Sequence, residues 1–347
     1  SRGYVPEYVR IGFSIGEAWL AAFGAELRNT ICILHGDRCL ISQHIGDVEN
    51  LETLDFLREA LTHLLNLFRA DVSIDFVACD LHPRYLSTRY AKELSEKIGA
   101  KLIPVQHHHA HAVSLMVDNG LGPSDSAVVI AADGVGYGVD GSIWGGEVLE
   151  VSFRRFVRRG CLKPHAMPGG DRATLYPLRM LISYLMSAWE ERDVIRVISH
   201  HIEKGLPKGW AEYEAIKKDI LFRRSPMTSS AGRLLDAAAA LLGVCYRRTY
   251  EGEPAMKLEA LANEASGKSP PAIEASVRRE GGLLVVDSSE IIAEAASLYL
   301  RGVSAAKVAL AVERALANGL AEAAAYVAEE RGIEYVGFSG GVAANLE

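Results

Sequence analysis

The feature that most restricts the fold of this sequence is an order of apolar segments that starts twice. Residues 17–46 contain three short apolar runs, at 18–22, 30–34 and 39–41, and Gly36-Asp37 is a turn signal between the last two. These runs predict a three-stranded meander. Segments with helical and strand periodicity alternate after it, and a second series of strands begins at Ser126.

The first meander is followed by an alternation of helices and strands. Asn50 is a polar N-cap residue, and apolar residues from Leu54 to Phe68 at helical spacing predict the helix that follows it. Residues 75–80 and 101–105 predict buried strands on either side of a helix over 87–98. Another helix is expected to begin at the histidines that follow residue 105.

The second series opens with an apolar strand over 126–132. Asp140-Gly141 is a hairpin signal, residues 142–149 form the predicted return strand, and residues 150–156 form a predicted third strand. Helices are expected over 175–189, 231–242, 288–300 and 305–331, with a polar connection over 190–224 and a last strand over 334–338. Two such series suggest an α/β protein with a duplicated ribonuclease-H-like fold. This is the two-lobed arrangement of actin, sugar kinases and Hsp70, in which nucleotides bind in the cleft between the lobes.

Composition limits the class of protein and the partners. A chain of 347 residues that is 49% hydrophobic can bury a core in each of two domains. A net charge of -7 without a dense Lys/Arg cluster makes nucleic acid an unexpected partner. The five cysteines contain no CxxC pair, which argues against a zinc ribbon or a disulfide framework and favours a reducing cytoplasm. We identify no signal peptide or membrane span, and a start at Ser1 rather than Met suggests a piece excised from a longer protein.

Two histidines are the candidate metal ligands. His107 and His111 are four residues apart, so in a helix they lie on one face and can bind one cation. They follow a predicted strand, at the end of the sheet where α/β proteins place ligands. The alternative is that they cap the helix or pair with backbone groups. His108 and His109 point to other faces and are expected to be structural.

Two glycine-rich segments are candidates for anion binding. Asp133 is predicted to end a strand, where it could be a third metal ligand, and Gly134, Gly136 and Gly138 after it would let backbone amides approach an anion. A tight β-turn is the alternative. Ser339-Gly340-Gly341 is predicted to open a helix and is a second candidate phosphate cradle.

Other polar residues have weaker signals. Asp236 lies in an apolar helix, where it could bind a ribose hydroxyl or occupy the solvated face. The segments 167–172 and 250–254 are turns that either wall a cleft or connect helices. The cysteines show no nucleophile constellation.

The ordered set of motifs is more specific than any of its members. It consists of SRGYVP from Ser1, SQHIGD from Ser42, ACDLHP from Ala78, YLST from Tyr85, HHHAH from His107, DGVGYG from Asp133, WGGE from Trp144, PGGDRA from Pro168 and SSAGRLLDAAAALLG from Ser229. This set resembles the C-terminal domain of the HypF carbamoyltransferases of nickel–iron hydrogenase maturation. The resemblance extends from Ser1 to Asn345.

The resemblance implies a domain organisation. Residues 1–15 would be a linker from an upstream adenylate-forming module, residues 16–122 the first lobe, and residues 123–347 a second lobe with helical insertions. The second lobe would be incomplete, because the family continues to an Asp-Gly-Gly segment whose aspartate completes the metal site. Leu346-Glu347 could also be a cloning remnant.

It also implies an activity: transfer of a carbamoyl group from carbamoyl-adenylate to the C-terminal cysteine of HypE, with ATP consumed by upstream modules that this chain lacks. His107, His111 and Asp133 would bind a divalent metal, iron or zinc. The remaining site residues would contact AMP or ATP: Gly134, Gly136, Gly138, Ser339, Gly340 and Gly341 at phosphates, Asp236 and Glu253 at the nucleoside, and Asn345 at the end of the SGGVAAN motif.

Two rival functions are open. Threonylcarbamoyl transfer to tRNA adenosine belongs to a related family that shares the histidine pair and the SGGVAAN ending. The DGVGYG and PGGDRA segments and the acidic net charge argue against it. The other rival is a non-catalytic module that binds a nucleotide or docks a partner.

Overall fold

The computed structural model describes residue 5 and residues 7–67, 73–267 and 269–345. Within these residues the chain divides into two compact units, Ser1–Asp125 with Ser152–Arg154, and Ser126–Val151 with Arg155–Glu347. Most of the SRGYVP motif, Phe68 and Leu346-Glu347 lie outside the described residues. In the described part of the chain, no helix is both long enough and apolar enough to cross a bilayer.

The described residues of the first unit form a mixed sheet with three helices. Its elements are β1 (Val9–Arg10), β2 (Trp19–Phe23), β3 (Ile31–His35), β4 (Arg38–Ile41), α1 (Leu51–Leu67), β5 (Phe76–Asp80), α2 (Leu86–Ile98), β6 (Lys101–Val105) and α3 (His107–Asp118). The sheet order is β1-β4-β3-β2-β5-β6. Strands β2, β3 and β4 form the antiparallel meander, and β5 and β6 continue it in parallel from β2.

The core of this unit follows from the periodicity of its residues. Alternate residues of β2 and β3, such as Ala21 and Ile33, are buried, and so are the leucines on one face of α1. Each buried aliphatic side chain contributes about 1.5–3 kcal/mol. The predicted start of α1 is confirmed, because the Asn50 Oδ1 accepts a hydrogen bond from the Thr53 amide at 2.9 Å.

The second unit combines a larger sheet with nine α-helices among its described residues. The strands are β7 (Ser126–Tyr137), β8 (Ile143–Ser152), β9 (Phe156–Leu162), β10 (His165–Ala166), β11 (Met227–Thr228), β12 (Val277–Glu280), β13 (Leu283–Val286) and β14 (Tyr335–Ser339). The helices are α4 (Asp171–Leu175), α5 (Leu178–Ala188), α6 (Glu191–Ile198), α7 (Ile202–Gly205), α8 (Gly209–Leu221), α9 (Ala231–Leu241), α10 (Glu253–Asn263), α11 (Ser288–Leu300) and α12 (Ala305–Arg331), and a 3-10 turn spans Gly341–Ala344.

Strand β7 lies between β8 and β14 in this sheet. It pairs with β8 on one side and in parallel with β14 on the other, and β8 pairs antiparallel with β9. Helix α9 is buried along its whole length, and its two charged residues, Arg233 and Asp236, are buried with it. The predicted bounds of α11 and α12 are confirmed.

Three predictions for this unit were wrong. The strand expected over 126–132 continues to Tyr137, so Asp133, Gly134 and Gly136 lie within β7 rather than in a bend. Pairing with β8 outweighs the low strand propensity of glycine. The predicted Asp140-Gly141 turn is confirmed.

The third strand is β9, not residues 150–156. Two arginines give its sequence a polar character, but Arg158 and Arg159 pair with Glu147 and Glu150 on the neighbouring strand β8. The expected polar connection over 190–224 contains α6, α7 and α8, because its scattered apolar residues form buried helix faces. Six further elements, α4, α10, β10, β11, β12 and β13, were not predicted.

Candidate functional site

The predicted site residues are divided between the two units. His107 and His111 belong to the first unit, and Asp133, Asp236, Glu253, Asn345 and the glycines belong to the second.

The histidine pair lies in the first turns of α3, directly after β6. Gln106 caps this helix, since its Oε1 accepts a hydrogen bond from the His109 amide at 2.9 Å. The rings of His107 and His111 are nearly perpendicular, with their centroids 4.8 Å apart. His108 is buried and its Nδ1 lies 3.1 Å from the Gln106 amide nitrogen.

A buried carboxylate supports this pair. The Asp80 Oδ2 lies 3.2 Å from His107 Nδ1. Asp80 is the last residue of β5, and its register places it opposite Val105 at the end of β6. Its other oxygen, Oδ1, accepts a hydrogen bond from the His82 amide at 2.7 Å. Asp80 was not among the predicted site residues, although it belongs to the ACDLHP motif and ends a parallel strand.

This arrangement fits a metal ligand. A carboxylate on one ring nitrogen of a histidine fixes the tautomer and orientation in which the other nitrogen binds a cation. Two imidazoles one helical turn apart suit zinc or iron. The histidines do not cap the helix, since that role belongs to Gln106.

In the second unit, the turn after β14 lies directly against Asp133. The register pairs Ser339 with Ala131, so β14 ends beside this part of β7. A Cβ on Gly340 would lie 2.1 Å from the Ala132 carbonyl oxygen, and one on Gly341 would lie 3.1 Å from Asp133 Oδ1. The fold therefore brings together two glycine segments that are two hundred residues apart in sequence.

The N-terminus of α9 also meets this strand. Ser230 Oγ accepts a hydrogen bond from the Arg233 amide and donates towards the carbonyl oxygens of Asp133 and Gly134, at 3.0 and 2.6 Å. A Cβ on Gly232 would lie 2.9 Å from the Gly134 Cα. The SSAGR segment thus packs its backbone against Asp133-Gly134.

Asp236 is not on a solvated face, so that alternative was wrong. Asp236 is 2% exposed because every residue of α9 is buried. Its Oδ2 forms an ion pair with Arg233 Nη2 at 3.1 Å. Burial raises the pKa of Asp236, while the positive charges of Arg233 and Arg248 act in the opposite direction.

Glu253 is the first residue of α10. A hydrogen bond from Lys257 and further ones from the amide and hydroxyl of Thr249 lower the pKa of Glu253 to about 2. Its carboxylate therefore orders the turn before α10.

Two other predicted site residues lie in the second unit. Asn345 follows the 3-10 turn. Gly138 packs against the Trp144 indole, where a Cβ would lie 2.3 Å from Nε1.

A buried polar network that was not predicted lies beside these elements. Glu147 on β8 is fully buried and accepts hydrogen bonds from Arg158 Nε at 2.6 Å and from the Ser229 hydroxyl. Arg158 also approaches Asp140 at 3.3 Å and lies over the Trp144 ring at 4.3 Å. This network explains the WGGE motif and joins the β7–β8 hairpin to the start of α9.

Comparisons with known proteins agree with the motif set. The family model described as "HypF Kae1-like domain" matches residues 16–118, and the one described as "Carbamoyltransferase, Kae1-like Domain, second subdomain" matches residues 129–346. The probable carbamoyltransferase HypF of Methanocaldococcus jannaschii is 40% identical over 99% of this chain and 43% of that protein. A carbamoyltransferase HypF homolog of Cupriavidus necator is 35% identical over 92% of this chain and 79% of that protein.

Solved structures are similar over the same extent. A full-length HypF in a phosphate- and nucleotide-bound form has a TM-score of 0.87 and 32% identity, over 99% of this chain and 51% of that one. The HypF of T. kodakarensis has a TM-score of 0.88 and 37% identity, over 99% of this chain and 44% of that one. The chain spans less than half the length of the M. jannaschii relative.

Proposed function

The chain belongs to the HypF family of carbamoyltransferases, and we propose that it transfers a carbamoyl group from carbamoyl-adenylate to a thiol. The observation that carries this proposal is the 40% identity, over 99% of the chain, to a protein named probable carbamoyltransferase HypF. The acceptor is the C-terminal cysteine of HypE, and the product leads to the cyanide ligand of nickel–iron hydrogenase in the cytoplasm. Upstream modules of the longer protein use ATP to supply the adenylate.

The two units are proposed to be the two ribonuclease-H-like lobes. Their topology supports a duplication. In the first, a parallel strand, β5, lies beside the first strand of the β2-β3-β4 meander. In the second, β14 takes the same position beside the first strand of the β7-β8-β9 meander.

His107 and His111 are the proposed ligands of a divalent metal, iron or zinc, with Asp133 as a further ligand. The Asp80 contact to His107 supports this assignment. When bound, the metal would act as a Lewis acid towards the phosphate and carbonyl oxygens of the adenylate. We propose that the phosphate of the adenylate faces Gly134, Gly136, Gly138 and the Ser339-Gly340-Gly341 turn. The nucleoside side of the adenylate is proposed to face Asp236, Glu253 and Asn345.

The chemistry is an acyl-type substitution. The acceptor thiolate attacks the carbamoyl carbon, a carbon–sulfur bond forms, and the bond to the phosphate oxygen breaks so that AMP leaves with its electron pair. Backbone amides stabilise the developing negative charge. The chain's own buried thiols are poor nucleophiles, since burial raises the pKa of Cys79 to about 11 and that of Cys161 to about 12.

The test uses the full-length protein with carbamoyl phosphate, ATP and HypE. His107→Ala should abolish thiocarbamate formation on HypE. His109→Ala is the matched control, because His109 contacts the Ser152 carbonyl oxygen at 2.8 Å and is not a proposed ligand. Equal rates for wild type and His107→Ala would remove the metal assignment. Transfer to tRNA instead of HypE would favour the threonylcarbamoyl alternative, and AMP binding without transfer would favour a docking module.

A further inference from the structure

Arg233 is a buried cation with more hydrogen-bond donors than partners. It lies in the first turn of α9 and is 5% exposed. Its Nη2 forms the ion pair with Asp236 at 3.1 Å. Its Nε and Nη1 are both buried and have no hydrogen-bond partner among the described residues.

Such an arrangement is unfavourable unless a ligand completes it. A guanidinium carries five N–H donors in a planar fork, and buried donors without acceptors lose hydration without compensation. Asp236 balances the charge through the ion pair at Nη2 but leaves the Nε and Nη1 donors without an acceptor in the described part of the chain. Phosphate oxygens can accept from such donors, and arginine is frequent at phosphate sites because its guanidinium presents several donors to the oxygens of one anion.

The surroundings place this guanidinium beside the glycine segment of β7. A Cβ on Gly134 would lie 3.8 Å from Arg233 Nη2. The start of α9, where the helix dipole favours an anion, is fixed against the same strand by the Ser230 hydroxyl. Three features therefore coincide: a helix N-terminus, a strand glycine, and a buried arginine with unpartnered donors.

We propose that Arg233 binds the phosphate of the adenylate. This inference rests on the proposed function and deepens it, since Arg233 contacts the phosphate directly and orients it as the leaving group. Asp236 in turn holds the guanidinium in place.

Calorimetric titration of the chain with AMP, adenosine and inorganic phosphate tests the proposal. Arg233→Gln should lower AMP affinity about 10- to 100-fold, as expected for loss of charge-assisted hydrogen bonds, and leave adenosine affinity unchanged. Arg233→Lys should give an intermediate loss, because it keeps the charge without the fork. Arg179→Gln is the matched control, since Arg179 is equally buried but pairs with Glu212.

The outcomes separate this inference from the proposed function. Equal losses for AMP and adenosine in Arg233→Gln, or a similar AMP loss in Arg179→Gln, would show a structural role and overturn it. If wild type binds AMP no better than adenosine, the inference fails and nucleotide binding stands. If wild type binds neither, both fail. Should Arg233→Gln not fold, the Lys variant decides: AMP affinity equal to wild type overturns the proposal.

Discussion

Replacing Gly340 by alanine should destabilise the second unit much more than the same change at Gly332. Gly340 has φ +105 and ψ 174, and its Cβ would lie 2.1 Å from the Ala132 carbonyl oxygen. Both the strain and the overlap involve backbone, so a side-chain rotation cannot relieve them. Gly332 has φ +62 and ψ 37, and its Cβ would meet nothing within 4 Å.

The expected magnitudes follow from these two geometries. At Gly332 only the left-handed conformation matters, and alanine there costs about 1–2 kcal/mol. At Gly340 the strained conformation costs about 1–3 kcal/mol. Displacing the turn from Ala132 costs about 1–3 kcal/mol more. We expect a loss of about 2–6 kcal/mol at Gly340, with a faster amide exchange along β14 and the Asp133 segment.

Urea denaturation of both variants, with hydrogen exchange measured by mass spectrometry, provides the assay. The difference between the variants isolates the close approach of Gly340 to Ala132. If the two variants have the same free energy of unfolding within about 0.5 kcal/mol, the usual error of such comparisons, the packing of the turn on β7 is refuted.

Three further predictions concern other contacts. Asp80→Asn should weaken metal binding about 10- to 100-fold in equilibrium dialysis by removing the support of His107, and unchanged affinity would exclude that support. Glu147→Gln should lower the free energy of unfolding by about 3 kcal/mol in urea because Arg158 loses its fully buried carboxylate partner, and a loss below about 1 kcal/mol would contradict this. Glu253 has a lowered pKa, so the stabilisation that its carboxylate contributes is present above pH 4.5 and is lost as pH falls towards about 2. The Glu253→Gln variant should lack this part of the acid transition. If the free energy of unfolding of wild type and of the variant changes in parallel with pH, the prediction is refuted.

The sequence periodicity was sufficient for the elements that pack in a regular way. The first meander, α11 and α12 have apolar residues at the spacing of a strand or helix, and their predicted bounds lie within a residue or two of those observed. The mixed α/β fold followed from the alternation of these elements.

The elements that were missed depend on tertiary partners. Strand β9 looks polar because Arg158 needs Glu147 on β8, a contact that sequence spacing does not reveal. The site shows the same limit. The His107 and His111 spacing predicted the pair, but the contact of Asp80 with His107 forms only when β5 pairs with β6, and Arg233 meets Gly134 only when α9 packs on β7.

The most direct test of carbamoyl transfer to a thiol is intact-mass analysis of HypE after incubation with the full-length protein, carbamoyl phosphate and ATP. The account predicts a single carbamoyl group on the C-terminal cysteine, formed in step with AMP, and none on HypE in which that cysteine is serine. AMP formation without carbamoylated HypE, or carbamoylation of the serine variant to the same extent, would contradict it.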